Sequence, residues 1–160
     1  MKKNAYVHDS DNDVPHFPYP SGPREYQKQA FEKMERNNKQ RGLFAMATGT
    51  GKTITSLNCL LEIYKSKGYY KAIILVPTQT LVEQWVDECH KFNFKNIYKV
   101  YSRNRKWKDE IETLHIKETF NYSNSKESFI IISYLCIVCS CQCFQNIEWL
   151  FCKSNSIHCG

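Results

Sequence analysis

The stretch "LFAMATGTGKTITSL", residues 43–57, is the part of the sequence that indicates the fold class most strongly. It overlaps a short apolar run, "GLFAMA" (42–47), which predicts a buried strand. Apolar residues at helical spacing over 52–66 predict an amphipathic helix that ends near Gly68. Small residues between the two let backbone N–H groups approach phosphate oxygens, and the helix points its positive N-terminal end at the same anion. The stretch therefore indicates a phosphate-binding loop.

The residues of this loop have separate roles. Gly49 and Gly51 supply backbone freedom. Lys52 would reach the β- and γ-phosphates of a nucleotide, and Thr53 would offer its hydroxyl to Mg²⁺. The strict pattern G-x-x-x-x-G-K-[ST] has glycine where this chain has Met46, although the strand before and the helix after support the interpretation. The alternative is a plain glycine turn between a strand and a helix.

Further strands and helices alternate along the chain. Apolar runs predict the strands, and amphipathic periodicity predicts the helices. In chain order these are a helix from Pro23 to about Asn37, a strand at 71–77, a helix at 78–92, a strand at 96–102, a helix containing Trp107, Ile111 and Leu114, and a strand at 128–134. This alternation predicts an α/β fold whose parallel sheet is covered by helices on both faces.

Composition narrows the class of protein. A chain of 160 residues has room for one domain. Its net charge of +6 permits contact with nucleic acid or nucleotide. The N-terminus has no apolar run typical of a secretory signal. The longest apolar stretch, 129–139, is shorter than the roughly 20 residues that a membrane-spanning helix needs. We therefore expect a cytoplasmic protein without a membrane segment.

Three motifs in order, "REYQKQAF", "MATGTGKT" and "ILVPTQTLVEQW", resemble the first motor domain of superfamily 2 DEAD/DEAH-type helicases. Within them the chain looks most like restriction-enzyme motor subunits, the type III restriction/helicase family. The resemblance covers residues 23 to about 135. It implies an incomplete RecA-like P-loop domain that binds ATP and Mg²⁺ and contacts DNA.

The resemblance also implies which side chains bind the nucleotide. Gln27 matches the glutamine that reads the adenine edge, which suits an amide with one donor group and one acceptor. The alternative for Gln27 is a solvent-facing helix residue, and Tyr26 is expected to pack. The implied nucleotide-binding residues are Arg24, Gln27, Thr48, Gly49, Thr50, Gly51, Lys52 and Thr53, with Thr53 also facing Mg²⁺.

Two segments resemble the parts of the family that lie along nucleic acid. Thr78 and Gln84 fall in the family's motif Ia, which runs along the DNA backbone; the Thr78 hydroxyl could equally be a helix N-cap. The basic segment "SRNRKWKDE" (102–110) offers Arg103 and Lys106 for contacts that position a strand without reading its sequence. The alternative for this segment is a solvated charged face.

The segment "WVDECHKF" (85–92) spells a DExH box, the acidic signature of many helicases. On a helix, however, its apolar residues fall on one side, Asp87 points away from them, and Glu88 and His90 lie on different edges of the polar face. A magnesium site needs converging ligands. We therefore predict a coincidental match on a surface helix, without catalytic residues.

After the strand at 128–134 the family pattern stops. The acidic box, the motif that follows it and the second motor domain are missing, so we expect nucleotide binding with little or no hydrolysis. A second polypeptide could supply the missing half, and the alternative function is a non-catalytic nucleotide- or DNA-binding module that acts through a partner. The expected organisation is a flexible arm at 1–22, the motor part at 23–135 and a cysteine-rich tail at 136–160. That tail is a zinc site, a buried thiol-rich strand, or the product of a truncation or frameshift.

Overall fold

A computed structural model describes residues 14–36, 45–47, 49–120 and 126–134, and the backbone of 151–153. Helices and strands alternate through most of this part of the chain. They are α1 (Glu25–Arg36), α2 (Lys52–Lys67), β1 (Lys71–Val76), α3 (Gln79–Lys91), β2 (Ile97–Val100), α4 (Trp107–Phe120), β3 (Phe129–Tyr134) and β4 (Phe151–Lys153).

The strands form a parallel sheet in the order β2-β3-β1-β4. β1 pairs with β3 along its whole length, from Lys71 opposite Phe129 to Val76 opposite Tyr134. The chain leaves β1 through α3 to reach β2, then returns through α4 to β3. Because parallel crossovers are right-handed, a reversal of direction sends the two helices to opposite faces of the sheet.

The core follows this division between the faces. Alternate residues of β1 and β3 point to opposite sides of a strand. Ile74 and Ile132 pack in one cluster with the buried residues of α2 and α3. Ile73 and Ile131 pack in a second cluster with Trp107, Ile111 and Leu114 of α4. The predicted α/β fold, with a parallel sheet flanked by helices as in part of a RecA-like domain, is therefore confirmed.

Left-handed glycines mark both ends of α2. Gly51, immediately before the helix, has φ 79° and ψ 39°, and Gly68, immediately after it, has φ 79°. The Gly68 N–H donates to the Tyr64 carbonyl at 2.7 Å, which closes the last turn. A side chain would be strained at such backbone angles, so glycine fixes where this helix begins and ends.

Three predicted segments lie partly outside the described residues. Of the strand predicted at 42–47, residues 45–47 are not in a strand, and 42–44 lie outside the described residues. Within the predicted arm, 1–13 lie outside them, whereas the His16 N–H donates to the Phe92 carbonyl at 3.0 Å and Phe17 packs edge-on against the Phe92 ring. The tail at 136–160 also lies outside them, except for the backbone of β4 beside β1.

No helix in the described part of the chain is long and apolar enough to span a membrane.

Replacing Ile132 by alanine tests the assignment of β3 to the centre of the sheet. Ile132 is fully buried, so Ile132→Ala should lower the free energy of unfolding by about 2–4 kcal/mol through lost burial and a residual cavity. Urea denaturation measures the change. The control Ile116→Ala removes an isoleucine of α4 that is 47% exposed and should cost less than about 0.5 kcal/mol. Equal losses in the two variants would contradict the described core.

Candidate functional site

Two carbonyl groups of the loop before α2 accept hydrogen bonds from neighbouring residues of the chain. Both Thr50 N–H and Thr50 Oγ1 approach the Ala47 carbonyl, at 3.4 and 2.6 Å. The Gly51 carbonyl accepts from the N–H of Thr55 at 2.9 Å and from its hydroxyl at 3.0 Å. Gly49 also has a left-handed backbone, with φ 81°. These bonds account for the direction in which the Ala47 and Gly51 carbonyls point. Thr48, which the sequence also assigns to the loop, lies outside the described residues.

The N-terminus of α2 begins at a glycine next to the loop. Its N-cap is Gly51, and no side chain caps the first turn. The first turn of a helix has N–H groups without intrahelical partners, and the helix dipole adds a partial positive charge there. Lys52 and Thr53 are the first two residues of α2, and both are partly buried. The predicted cation and hydroxyl therefore lie at the same helix end as these donors.

Gln27 lies beside this loop and is buried, with 4% of its surface exposed. Its Oε1 accepts from the Arg24 N–H at 2.9 Å, which is the return half of a capping box at the start of α1. Its Nε2 lies 3.7 Å from where a Cβ would stand on Gly51. The alternative of a solvent-facing glutamine is therefore wrong. Arg24 itself is exposed at the entrance to α1.

Tyr26 contacts the loop in a way that the sequence did not predict. Its hydroxyl donates to the Thr50 carbonyl at 2.8 Å and lies 3.5 Å from Nη1 of Arg24. The sequence suggested only a packing role for Tyr26, because periodicity along α1 reports the helix face and not a partner 24 positions away.

Thr53 fits a magnesium ion bound together with a nucleotide. A threonine hydroxyl is an oxygen ligand of the kind Mg²⁺ prefers, and Mg²⁺ in phosphate-loop proteins takes most of its other oxygens from water and phosphate. Elsewhere in the described ranges, no group of three or more His, Cys, Asp or Glu side chains is arranged to bind a metal ion.

The segments predicted to contact DNA follow β1 and β2 at the carboxyl edge of the sheet, the edge at which open α/β sheets bind ligands. Thr78 is the N-cap of α3, and its Oγ1 accepts from the Leu81 N–H at 3.3 Å. This bond uses an oxygen lone pair and does not involve the hydroxyl proton. Gln79 Nε2 donates to Ser102 Oγ at 3.0 Å and so joins the start of α3 to the loop after β2.

Hydrogen bonds from Lys99 and Tyr101 to Glu83 of α3 stabilise the same loop. Glu83 of α3 accepts from Lys99 Nζ at 3.2 Å and from the Tyr101 hydroxyl. The hydrogen bond from Tyr101 is the main cause that lowers the pKa of Glu83, and it raises the pKa of Tyr101. Asn104 Nδ2 donates to the Lys99 carbonyl at 2.8 Å. Beyond this support, the predicted DNA-contacting side chains are exposed, namely Gln84, Arg103 and Lys106.

Lys106 also lines an open groove of about 370 Å³ on the outer side of β2. Tyr98, Asp109, Glu110 and Thr113 complete its lining. The two carboxylates beside the lysine make this groove a poorer match for a polyanion than the end of α2.

The "DECH" segment lies on α3, as predicted. Asp87 and His90 are exposed, whereas Cys89 is fully buried on the apolar face with Trp85. Glu88 pairs instead with Lys91 at 2.7 Å. Burial raises the pKa of the Cys89 thiol to about 12. These side chains therefore do not converge on one point, as a magnesium site would require.

The chain is similar in sequence to restriction-enzyme subunits. Residues 21–139 match the family described as "Type III restriction enzyme, res subunit". The "Type I restriction enzyme EcoAI endonuclease subunit" of Escherichia coli is 40% identical over 65 residues, which are 39% of this chain. The chain spans only 8% of the length of that relative. No solved structure matches the chain significantly. The family match covers most of the 160 residues, and the chain belongs to the type III restriction enzyme res-subunit family, a family of superfamily 2 helicase type.

Proposed function

We propose that the chain binds ATP with Mg²⁺ at the N-terminus of α2, as the nucleotide-binding part of a superfamily 2 DNA motor. The observation that carries this proposal is the uncapped first turn of α2, which follows a left-handed Gly51 beside the buried Gln27. A helix end without a side-chain cap leaves its N–H groups to an anion, and the adjacent amide offers a polar group to a base.

Each residue of the site has a distinct part in binding. The N–H groups of the first turn of α2 would donate to phosphate oxygens, and the Lys52 ammonium would neutralise the β- and γ-phosphates. The Thr53 hydroxyl would hold Mg²⁺, which when bound offsets the negative charge of those phosphates. Gln27 would meet the adenine edge with its amide donor, since its Oε1 already accepts from Arg24.

We expect DNA to contact the surface that α3 and the loop after β2 form together. The Gln79–Ser102 bond and the Glu83 cluster hold the two segments together. Thr78 and Gln84 would donate to phosphate oxygens, while Arg103 and Lys106 add positive charge. The proposed DNA contacts are supported by the exposure of these four side chains beside a loop that hydrogen bonds hold in place. We expect the chain by itself to hydrolyse ATP slowly even with DNA, because the side chains of its DExH-like segment do not converge on one point.

The Lys52→Ala variant tests the nucleotide site. Loss of a charge-assisted hydrogen bond to phosphate should raise the dissociation constant for ATP–Mg²⁺ by about 10- to 100-fold. Isothermal titration calorimetry measures the change. Lys52 is only partly buried, so thermal unfolding should stay close to that of the wild type.

Asp87→Asn is the matched control for this experiment, because it removes the aspartate of the coincidental box on α3. It should bind ATP–Mg²⁺ like the wild type. The proposed site would be refuted by a Lys52→Ala variant with wild-type affinity, and a large loss in Asp87→Asn would revive the DExH interpretation.

The double variant Arg103→Ala/Lys106→Ala tests the DNA surface. The slope of log affinity against log salt concentration is negative, and removing two phosphate contacts should reduce its magnitude by about 0.7 for each contact with a single strand. Fluorescence anisotropy with a labelled single-stranded oligonucleotide gives this slope. Lys67→Ala is the control, since Lys67 is an exposed cation at the opposite end of α2. An unchanged slope in the double variant, or an equal fall in the control, would contradict the assigned surface.

A further inference from the structure

We infer that Tyr26 is a positioning residue that orients the phosphate loop and couples it to the base-side turn of α1. The inference rests on the proposed ATP site and adds to it a residue outside the loop. Its basis is the 2.8 Å hydrogen bond from the Tyr26 hydroxyl to the Thr50 carbonyl, which joins the first turn of α1 to the loop.

This bond controls the direction of a single peptide group. The Thr50 carbonyl and the Gly51 N–H belong to the same planar trans peptide, in which the C=O and N–H bonds point to opposite sides. Holding the carbonyl toward Tyr26 therefore turns the Gly51 N–H to the other side. A carbonyl facing an anion would repel it, so the orientation of this peptide decides whether the loop attracts phosphate.

The loop needs such an external restraint because this peptide joins Thr50 to a glycine and a second glycine precedes Thr50. Gly49 and Gly51 both have left-handed backbone angles, with φ 81° and 79°. Glycine reaches many other angles at little cost, so the loop backbone by itself does not select one orientation. The bonds to the Ala47 and Gly51 carbonyls lie within the loop and the first turn of α2. Tyr26 adds a restraint from a different element.

The same turn of α1 contains the residues assigned to the base. Gln27 Oε1 accepts from the Arg24 N–H, and the Arg24 guanidinium lies 3.5 Å from the Tyr26 hydroxyl. Gln27 Nε2 and the Tyr26 hydroxyl both approach the Cβ position of Gly51, at 3.7 and 3.9 Å. A base bound at Gln27 and a phosphate bound at the loop would thus be held in register by one hydroxyl.

Tyr26→Phe isolates this role. Tyr26 is 38% exposed, so water can replace the lost hydroxyl at the Thr50 carbonyl and the fold should be retained. We expect the dissociation constant for ATP–Mg²⁺ to rise about 3- to 10-fold, as for the loss of one neutral hydrogen bond. Adenosine has no phosphate, and its affinity should not change. Competition against a fluorescent ATP analogue measures both ligands.

Tyr19→Phe is the matched control, since Tyr19 is a tyrosine 46% exposed and lies outside the loop and α1. It should change neither affinity. Equal weakening of ATP and adenosine in Tyr26→Phe, or a lower melting temperature with an unchanged ratio of the two affinities, would overturn the inference. So would wild-type ATP affinity in this variant. In each of these cases loss of ATP binding in Lys52→Ala would still support the proposed site, whereas a wild-type chain that fails to bind ATP would overturn both.

Discussion

β1 and β3 run parallel over six residue pairs, and both strands bury side chains on both of their faces. The segments that follow β1 and β2 take their positions from this pairing and from that of β2 with β3. Parallel strands bring their carboxyl ends to one edge, and the helices that connect them begin at that edge. The start of α3 and the loop after β2 meet there through the Gln79–Ser102 bond. A shared surface that could contact a polynucleotide therefore follows from the topology of β1, β2 and β3.

Whether the phosphate loop attracts an anion depends on the direction in which its backbone carbonyls point. The carbonyls of Ala47, Thr50 and Gly51 all accept hydrogen bonds from the protein. An anion then meets N–H groups and the positive end of α2 instead of lone pairs. Lys52 adds a positive charge to this arrangement. The N-cap Gly51 has no side chain to occupy the N–H groups of the first turn, which stay accessible. The loop is thus an anion site through the orientation of its backbone, which its neighbours maintain.

Much of this structure could be predicted from local sequence patterns. The apolar run at 71–77 and the periodicity at 78–92 locate β1 and α3 to within about two residues, and "TGTGKT" locates the start of α2. The same periodicity exposed the "DECH" segment as part of a helix. These features depend on neighbours within a turn or two, where spacing along the chain carries the signal.

The rest depends on contacts between distant segments, which spacing does not encode. The Tyr26–Thr50 bond, the burial of Gln27 and the support of the basic loop by Glu83 exist only once the helices are docked. The packing of Phe17 on Phe92 has the same origin, since a segment rich in proline and polar residues gives no local sign of a docking site. The apolar character of the run at 42–47 predicted a strand, yet residues 45–47 are not in one.

The most direct test of the account is a backbone amide spectrum, ¹H–¹⁵N, recorded while ATP–Mg²⁺ is added to the full chain. If ATP–Mg²⁺ binds at the end of α2, the amides of Gly49, Gly51, Lys52 and Thr53 should shift most, together with the side-chain amide of Gln27. Shifts concentrated at Tyr98, Lys106 and Thr113 would place the nucleotide in the groove beside β2. That result, or a spectrum that does not change, would contradict the central claim that the end of α2 is the nucleotide site.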